Sequence, residues 1–251
     1  MLKAVLFDLD NTLLLFDEMR FFQAYMEKIH AFFSDLMEPA VFRERLLSGS
    51  QYLMRNNGRV SNADFYMDHF ALGYESIRSD LWQRFMDFYE LEYDQFASLT
   101  SIPKGGRDLL LKLKALSLKI IIASNPLWPL TAQLKRLEWA GIGDIQYDLI
   151  THIENMSYCK PRLEYYKQIC RMIDAAPESC LMVGNDPVND MAVAQINMHT
   201  YLTLDYVGEA GSDLSMSRAL REGFEHQESE PDFRGPLVHV IDAVQSLLNS
   251  G

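Results

Sequence analysis

The residues best suited to chemistry begin with Asp8 and Asp10, which follow a short apolar stretch at residues 2–7. Side chains two positions apart in an extended chain point to the same side. If residues 2–7 form a buried strand, both carboxylates leave its carboxyl end together, where open α/β sheets bind their ligands. The simpler alternative is that Asp10 and Thr12 only cap a turn. The pair therefore needs support from elsewhere in the chain.

Two further segments place polar residues at similar points. Ser124 and Asn125 end the apolar stretch at residues 119–123. Lys160 directly precedes Pro161. Because proline is favoured in the first turn of a helix, we expect a helix to begin at Pro161, with Lys160 just before it.

A last segment carries two acids four residues apart. Asp186 and Asp190 follow the apolar residues 180–183, and Asn185 directly precedes the first acid. Taken singly, a serine is more often a turn residue, a lysine a solvated charge and an aspartate a helix cap. Four such segments in this order favour one common site over four unrelated surface features.

The elements that must position these residues alternate between strand and helix. Apolar stretches predict strands at residues 2–7, 119–123, 147–151, 180–183 and 200–204. Helical periodicity predicts helices at residues 109–116, from Leu130 to Gly141, from Pro161 and through residues 244–248. This alternation is typical of an α/β fold, in which helices cover both faces of a parallel sheet.

The chain between the first two predicted strands of the sheet is different, because it carries helical patterns and no convincing strand. Apolar residues recur at spacings of three and four through residues 19–36, which predicts one apolar stripe on a long helix. Ser61 is a candidate capping residue for another helix. We expect an inserted helical domain at residues 16–99 and a discontinuous core domain at residues 1–15 and 100–251.

In this order, the aspartate pair, the serine, the lysine and the final acidic pair resemble the haloacid dehalogenase superfamily, over roughly residues 1–15 and 100–250. The resemblance implies a Rossmann-like core and a phosphohydrolase that cleaves a small-molecule phosphate monoester. Asp8 would attack phosphorus and become an aspartyl-phosphate. Asp10 would protonate the leaving oxygen and later take a proton from water.

The resemblance also implies a Mg²⁺ site. Asp8, the backbone carbonyl of Asp10 and Asp186 would bind the ion, while Asp190 would orient its surroundings. Asn185 departs from the more usual glycine-aspartate pair and could shift the loop or add a neutral contact. A hard divalent cation suits such oxygens, and it would offset the repulsion of about 4 kcal/mol between each carboxylate and a phosphate charge 4 Å away.

The phosphoryl oxygens would be held by a second set of residues. By resemblance these are Ser124, Asn125 and Lys160, with Thr12 supporting the loop of the nucleophile. The long interval between Thr12 and Ser124 resembles the branch of the superfamily whose helical cap follows the first strand. A cap of this kind excludes water and contributes substrate contacts.

Other activities use the same residues. A haloacid dehalogenase displaces a halide, which needs no protonation, so Asp10 favours phosphatase activity. Phosphonate cleavage would need a cap lysine able to form a Schiff base, and Lys28, the only lysine of residues 16–99, lies on a polar helix face. Phosphomutase activity and a non-catalytic protein that binds a phosphate ligand both stay open.

Composition limits the partners. With 48% hydrophobic and 23% charged residues and no apolar run long enough to cross a bilayer, the chain has the composition of an ordinary globular protein. A net charge of −12 argues against binding nucleic acid. Cys159, Cys170 and Cys180 lack paired or metal-type spacing, which favours a reducing compartment, the cytoplasm. Residues 205–236 lose periodicity and predict a surface excursion, and the oligomeric state stays open.

Overall fold

The central element is a parallel β-sheet, seen in a computed structural model that describes residues 1–206 and 229–249. The strands in chain order are β1 (Ala4–Phe7), β2 (Leu15–Phe16), β3 (Thr100–Ser101), β4 (Lys119–Ile122), β5 (Leu149–Ile150), β6 (Cys180–Gly184), β7 (His199–Thr203) and β8 (Phe233–Gly235). Six of them form the sheet, in the order β5-β4-β1-β6-β7-β8. Its pairs are all parallel. Because the chain order reverses beside β1, the ligand-binding crevice of such a sheet is expected at its carboxyl end.

Helices cover both faces of this sheet. In the described residues the helices are α1 (Glu18–Phe33), α2 (Pro39–Leu53), α3 (Asn62–Phe70), α4 (Arg78–Leu91), α5 (Gly106–Ala115), α6 (Leu130–Trp139), α7 (Leu163–Met172) and α8 (Val240–Asn249). Those that cover the sheet are α5 to α8. Val5 and Phe7 of β1 pack in the layer of α5, α6 and α8, whereas Ala4 and Leu6 pack in the layer of α7. All four are fully buried. A strand that is covered on both faces has a continuous run of apolar residues, which is why β1 could be predicted from the sequence.

The predicted fold class is confirmed: a Rossmann-like α/β sheet with an inserted helical region. All five predicted strands are present, although the one expected at 147–151 contains only Leu149–Ile150. The helix expected to begin at Pro161 begins at Leu163 instead. That prediction was wrong because Arg162, with φ −59° and ψ 131°, still has a non-helical backbone.

The inserted helices α1 to α4 pack around a cluster of aromatic rings. The ring of Phe33 lies 4.8 Å from that of Phe42 and 4.6 Å from that of Phe85, and Phe70 lies 4.9 Å from Phe85. At the base of the insertion the chain leaves and returns through the antiparallel pair β2 and β3. Most of the aromatic residues of residues 19–96 are therefore core residues, as their spacing indicated.

The insertion also packs directly on the core. The amide of Asn62, at the start of α3, donates to the carbonyl of Met156 at 2.7 Å, and that of Ala63 donates to Ile153 at 2.9 Å. On another side, Lys135 of α6 forms an ion pair of 2.7 Å with Asp94. These contacts place the insertion against α6 and the loop that follows β5.

Three remaining expectations concern chain features outside the site. The cysteines are all buried and free, and the thiol of Cys180 donates to the carbonyl of Ala176 at 3.4 Å. No helix of the described residues is long and apolar enough to span a membrane. The excursion predicted at 205–236 includes residues 207–228, which lie outside the described residues, and its last part contains β8.

Candidate active site

Asp8 is the first residue after β1. Its amide donates to the carbonyl of Val183 at 2.9 Å, which continues the sheet pairing, and the residue is only 8% exposed. The next residues form a tight turn, in which the amides of Leu13 and Leu14 both donate to the carbonyl of Leu9 at 2.9 Å. Asn11 takes a left-handed conformation, φ 58°, that asparagine tolerates better than most residues. Asp10 leaves this turn at the carboxyl edge of the sheet.

Lys160 connects the nucleophile candidate with the last acid. Its ammonium donates to Asp8 Oδ1 at 2.7 Å and to Asp190 Oδ1 at 2.6 Å. Burial alone would lower the pKa of Lys160, but Asp190 and Asp8 outweigh it and hold that pKa well above its usual range. At 2% exposure Lys160 is not a solvated charge, so the simpler alternative for it is wrong.

The loop after β6 brings Asp186 and Asp190 to the same place. Asp190 Oδ2 accepts a hydrogen bond from the amide of Asp186 at 3.0 Å. Burial raises the pKa of Asp190 to about 7, and Lys160 opposes that rise. Gly184 makes room for this carboxylate, because a Cβ there would lie 2.1 Å from Asp190 Oδ2.

Asp186 combines a capping role with its place in the site. Its Oδ1 accepts from the amides of Val188 and Asn189 at 2.8 and 2.9 Å. Its Oδ2 accepts from Asn189 Nδ2 at 3.0 Å. These bonds fix the orientation of the carboxylate at the mouth of the crevice.

The residues predicted to hold phosphate lie in neighbouring loops. Thr12 donates to Asn185 Oδ1 at 3.2 Å, which joins the first loop to the last. Asn125 Oδ1 accepts from the backbone amide of Lys160 at 3.2 Å. The carbonyl of Ser124 accepts from Thr151 Oγ1 at 2.7 Å, so its backbone is firmly held. The side chains of Thr12 and Asn125 thus each form a hydrogen bond with another predicted site residue, whereas Ser124 is held through its backbone.

Arg136 of α6 is the site residue that the sequence did not reveal. Its Nη2 forms an ion pair with Asp10 Oδ1, and the residue is fully buried. Its guanidinium carbon lies 5.2 Å from the ring centroid of Trp128 and 5.8 Å from that of Phe16. Burial lowers the pKa of Arg136 to about 9, while the charge of Asp8 raises it. The group therefore stays charged at neutral pH.

A signal for Arg136 was present in its spacing. The residue stands four positions after Ala132 and four before Ala140, both of which are buried small residues. An arginine on the apolar stripe of a helix is rarely buried without a carboxylate partner. That pattern indicates that Arg136 has a carboxylate partner, but it does not identify the acid.

This α/β sheet, with acids and a buried lysine at the carboxyl ends of its central strands, defines a protein of the haloacid dehalogenase type. The model of the haloacid dehalogenase-like hydrolase family matches residues 2–196. The chain belongs to that family. A search of curated proteins found no match.

Solved structures show the same fold at low sequence identity. A predicted phosphoglycolate phosphatase from Haemophilus somnus 129PT has a TM-score of 0.56 and 14% identity, covering 97% of this chain and 98% of that one. A putative β-phosphoglucomutase from Thermotoga maritima has 0.54 and 15%, covering 98% and 99%. An L-2-haloacid dehalogenase from Xanthobacter autotrophicus, with chloropropionic acid covalently bound, has 0.55 and 19%, covering 98% and 99%. Since these three chains carry different names, the fold they share does not select an activity.

Proposed function

We propose that this protein is a Mg²⁺-dependent phosphatase that hydrolyses a small-molecule phosphate monoester through an aspartyl-phosphate on Asp8. One observation carries the proposal: a buried Lys160 holds one oxygen of Asp8 at 2.7 Å, at the carboxyl edge of the sheet. Among the described residues, Asp8 Oδ2 has no hydrogen-bond partner, so one oxygen is positioned and the other can attack. A carboxylate nucleophile divides hydrolysis into two easier displacements.

Asp10 supplies the proton transfers in this proposal. Its Oδ1 accepts from Arg136, and a guanidinium has no acceptor atom. A proton on Asp10 must therefore sit on Oδ2, which fixes the direction from which the leaving oxygen is protonated and water is deprotonated. A departing halide needs no protonation, so the pair Asp10 and Arg136 supports phosphatase over dehalogenase activity.

The donor set fits Mg²⁺. Asp8, the backbone carbonyl of Asp10 and Asp186 offer only oxygen atoms, and Mg²⁺ commonly takes one or two carboxylates together with water and substrate oxygens. In the described part of the chain, no three His, Cys, Asp or Glu side chains are grouped to hold a metal ion. Backbone, water or substrate oxygens must therefore complete the shell. When bound, the ion would neutralise charge on the phosphoryl group.

The charges of the site agree with a divalent cation. Asp8, Asp10, Asp186 and Asp190 carry four negative charges when ionised, and within the described residues Lys160 and the guanidinium on Asp10 are the cations that contact them. An ion of charge +2 would reduce the negative charge of this group of carboxylates and let an anionic phosphate approach.

In this proposal Lys160 and Ser124 hold the phosphoryl oxygens, with Asn125 and Thr12 beside them. Lys160 provides the charge, and Ser124, 1% exposed, provides a hydroxyl at the end of β4. The side chains of Thr12 and Asn125 already bond to protein groups, so their part is to hold the loops around the phosphate. Asn185, the partner of Thr12, would then tune the loop that carries Asp186.

We further propose the division into a core at residues 1–15 and 100–251 and a cap at residues 16–99. The pairing of β2 with β3 marks the two crossings between them. Helices over the carboxyl edge of the sheet can exclude water during phosphoryl transfer. A cytoplasmic enzyme acting on a small molecule agrees with the free thiols and with the net charge of −12.

The test is hydrolysis of acetyl phosphate and a panel of phosphate monoesters with Mg²⁺ and with EDTA. We expect turnover only with Mg²⁺, and loss of more than about a thousandfold in Asp8→Asn. Asp108→Asn, an exposed aspartate of α5, is the matched control and should keep full activity. Full turnover by Asp8→Asn, or chloride release from 2-chloropropionate without hydrolysis of any phosphate, would contradict the proposal.

A further inference from the structure

A cavity of ≈ 210 Å³ lies between the inserted helices and the core. Its walls come from α1, α2, α3 and α4 on one side and from the loop after β4 on the other. The exposed Leu47 and Gln51 lie at its solvent edge. The cavity therefore lies where the aromatic cluster of the inserted helices meets loops of the core.

This cavity adjoins the candidate active site through Trp128. Leu127 and Trp128, two of its lining residues, stand two and three positions after Asn125 along the chain. The Trp128 ring also contacts Arg136, at 5.2 Å, and Arg136 binds Asp10. Trp128 thus forms part of the cavity wall and also contacts Arg136, the cation that binds the proposed acid and base, Asp10.

The lining is apolar and strongly aromatic. It includes Tyr25, Phe85, Tyr89 and Trp82, and none of its side chains carries a charge. The hydroxyls of Tyr25 and Tyr89 bind each other at 2.8 Å, so they do not call for a polar ligand. A second phosphate or a carboxylate would lose its hydration here without gaining an ionic partner.

We propose that this cavity binds the organic part of the substrate, and that the substrate is the phosphate monoester of a small aromatic or apolar alcohol; this rests on the proposed function. A cavity of about 150 Å³ lined by apolar side chains can hold benzene. The larger space here therefore accommodates an aromatic ring with one or two further heavy atoms. Aromatic walls add edge and face contacts with such a ring.

Tyr66 adds one possible polar contact. It lines the cavity, is 6% exposed, and its hydroxyl has no hydrogen-bond partner within the described residues. A ligand with one hydrogen-bonding atom can therefore pair with this hydroxyl. Gly49 leaves the space for this ring, because a Cβ there would meet Tyr66 Cε2 at 2.6 Å.

The experiment compares benzyl phosphate with glycerol 3-phosphate, whose leaving groups are both primary alcohols. Acetyl phosphate reports the phosphoryl transfer itself, since its acyl group is too small to need the cavity. We expect kcat/KM for benzyl phosphate to exceed that for glycerol 3-phosphate by roughly tenfold or more. Binding of benzyl alcohol without substrate is followed by the fluorescence of Trp82 and Trp128.

Two variants fill the cavity from different helices, Ser50→Phe from α2 and Met86→Trp from α4. Each should reduce kcat/KM for benzyl phosphate at least about tenfold more than for acetyl phosphate. Each should also abolish the fluorescence response to benzyl alcohol. Arg43→Phe, which adds an aromatic ring to an exposed position of α2 outside the cavity, should change neither measurement.

The outcomes separate the two proposals. Turnover of acetyl phosphate without preference for benzyl phosphate, or equal losses on both substrates in the filled variants, overturns the cavity assignment alone. If no phosphate is turned over but benzyl alcohol still binds, and the filled variants lose that binding, the phosphatase proposal fails while the apolar site stands. If benzyl alcohol does not bind wild type either, both proposals fall.

Discussion

Lys160 determines the charge arrangement of the candidate site, because its ammonium is buried between two carboxylates. Asp8 Oδ1 and Asp190 Oδ1 lie 2.7 and 2.6 Å from it. Breaking a buried ion pair by removing one partner leaves an uncompensated charge, which is more costly than replacing both partners. Lys160 therefore stabilises the fold as well as holding Asp8, the proposed nucleophile.

Replacing Lys160 by methionine tests this double role. We expect Lys160→Met to lower the free energy of unfolding by about 3–5 kcal/mol, because both acids lose their cation. Urea denaturation followed by circular dichroism measures the loss. Adding Asp190→Asn to that variant should restore part of the stability without restoring turnover. A wild-type denaturation midpoint for Lys160→Met would show that the acids do not depend on this cation.

Replacing Arg136 is expected to change activity more than stability. Its Nε and Nη1 have no hydrogen-bond partner among the described residues. Only the ion pair with Asp10 therefore offsets part of the desolvation free energy of the buried guanidinium. We expect Arg136→Met, similar in length and apolar, to change the free energy of unfolding by less than about 1.5 kcal/mol. We expect kcat to fall about 10- to 100-fold, because Asp10 loses its fixed orientation.

The measurements for Arg136 are denaturation and the separate values of kcat and KM. A residue that only fills space would change stability more than kcat. Arg136→Lys is the matched variant, since it keeps a cation that can reach the carboxylate, and it should recover part of kcat. Unchanged kcat in Arg136→Met would contradict the positioning role.

At the residue scale, the sequence predicted side chains that the structure brings into contact at one place. Asp8, Lys160 and Asp190 were recognisable because each follows a strand or precedes a helix in a fixed order. Arg136 was not recognised, because its spacing indicates that it is buried but does not identify the acid it contacts. Which carboxylate meets which cation depends on contacts between distant segments, and spacing along the chain does not encode these.

At the scale of an element, the end of β6 controls where Asp190 lies. Gly184 is the last residue of the strand, and its missing Cβ leaves the space for that carboxylate. We expect Gly184→Ala to push Asp190 away from Lys160, reducing kcat/KM about a hundredfold and stability by about 1–3 kcal/mol. Steady-state kinetics with acetyl phosphate and thermal denaturation measure both.

A second glycine variant separates strain from site geometry. Gly73, with φ +83° and open space around it, follows α3 far along the chain from the site. Gly73→Ala should cost about 1 kcal/mol through backbone strain and leave kcat/KM unchanged. Equal kinetic losses in the two variants would show that general destabilisation, not displacement of Asp190, lowers activity.

The elements also show where periodicity stops being informative. β8 has three residues and β2 and β3 have two each, too few for any repeat to be seen. Their partners define them, since Tyr201 pairs with Phe233 and Phe16 with Thr100. Longer elements with buried faces, such as β1 and α6, were predicted because burial imposes a pattern on their sequences.

At the scale of the whole molecule, the insertion and the core are joined by packing as well as by chain. The aromatic cluster of α1 to α4 includes Ala132, Ile153 and Cys159 of the core. Such shared packing couples the position of the helices to the loops around the site. The proposed ligand cavity lies at this boundary, so substrate size and cap position are linked.

Binding of Mg²⁺ should stabilise the whole molecule, since an ion that binds only the folded state shifts unfolding by mass action. At a concentration about 100 times its Kd, the gain is about 2.7 kcal/mol, which raises Tm by roughly 5–10 °C for a chain of this size. Asp186→Asn should lose most of this shift, because its amide keeps the Oδ1 bonds to Val188 and Asn189 but not the charge. Asp108→Asn should keep the shift. Differential scanning calorimetry with EDTA and with Mg²⁺ measures it, and an equal shift in wild type and Asp186→Asn would place the ion elsewhere.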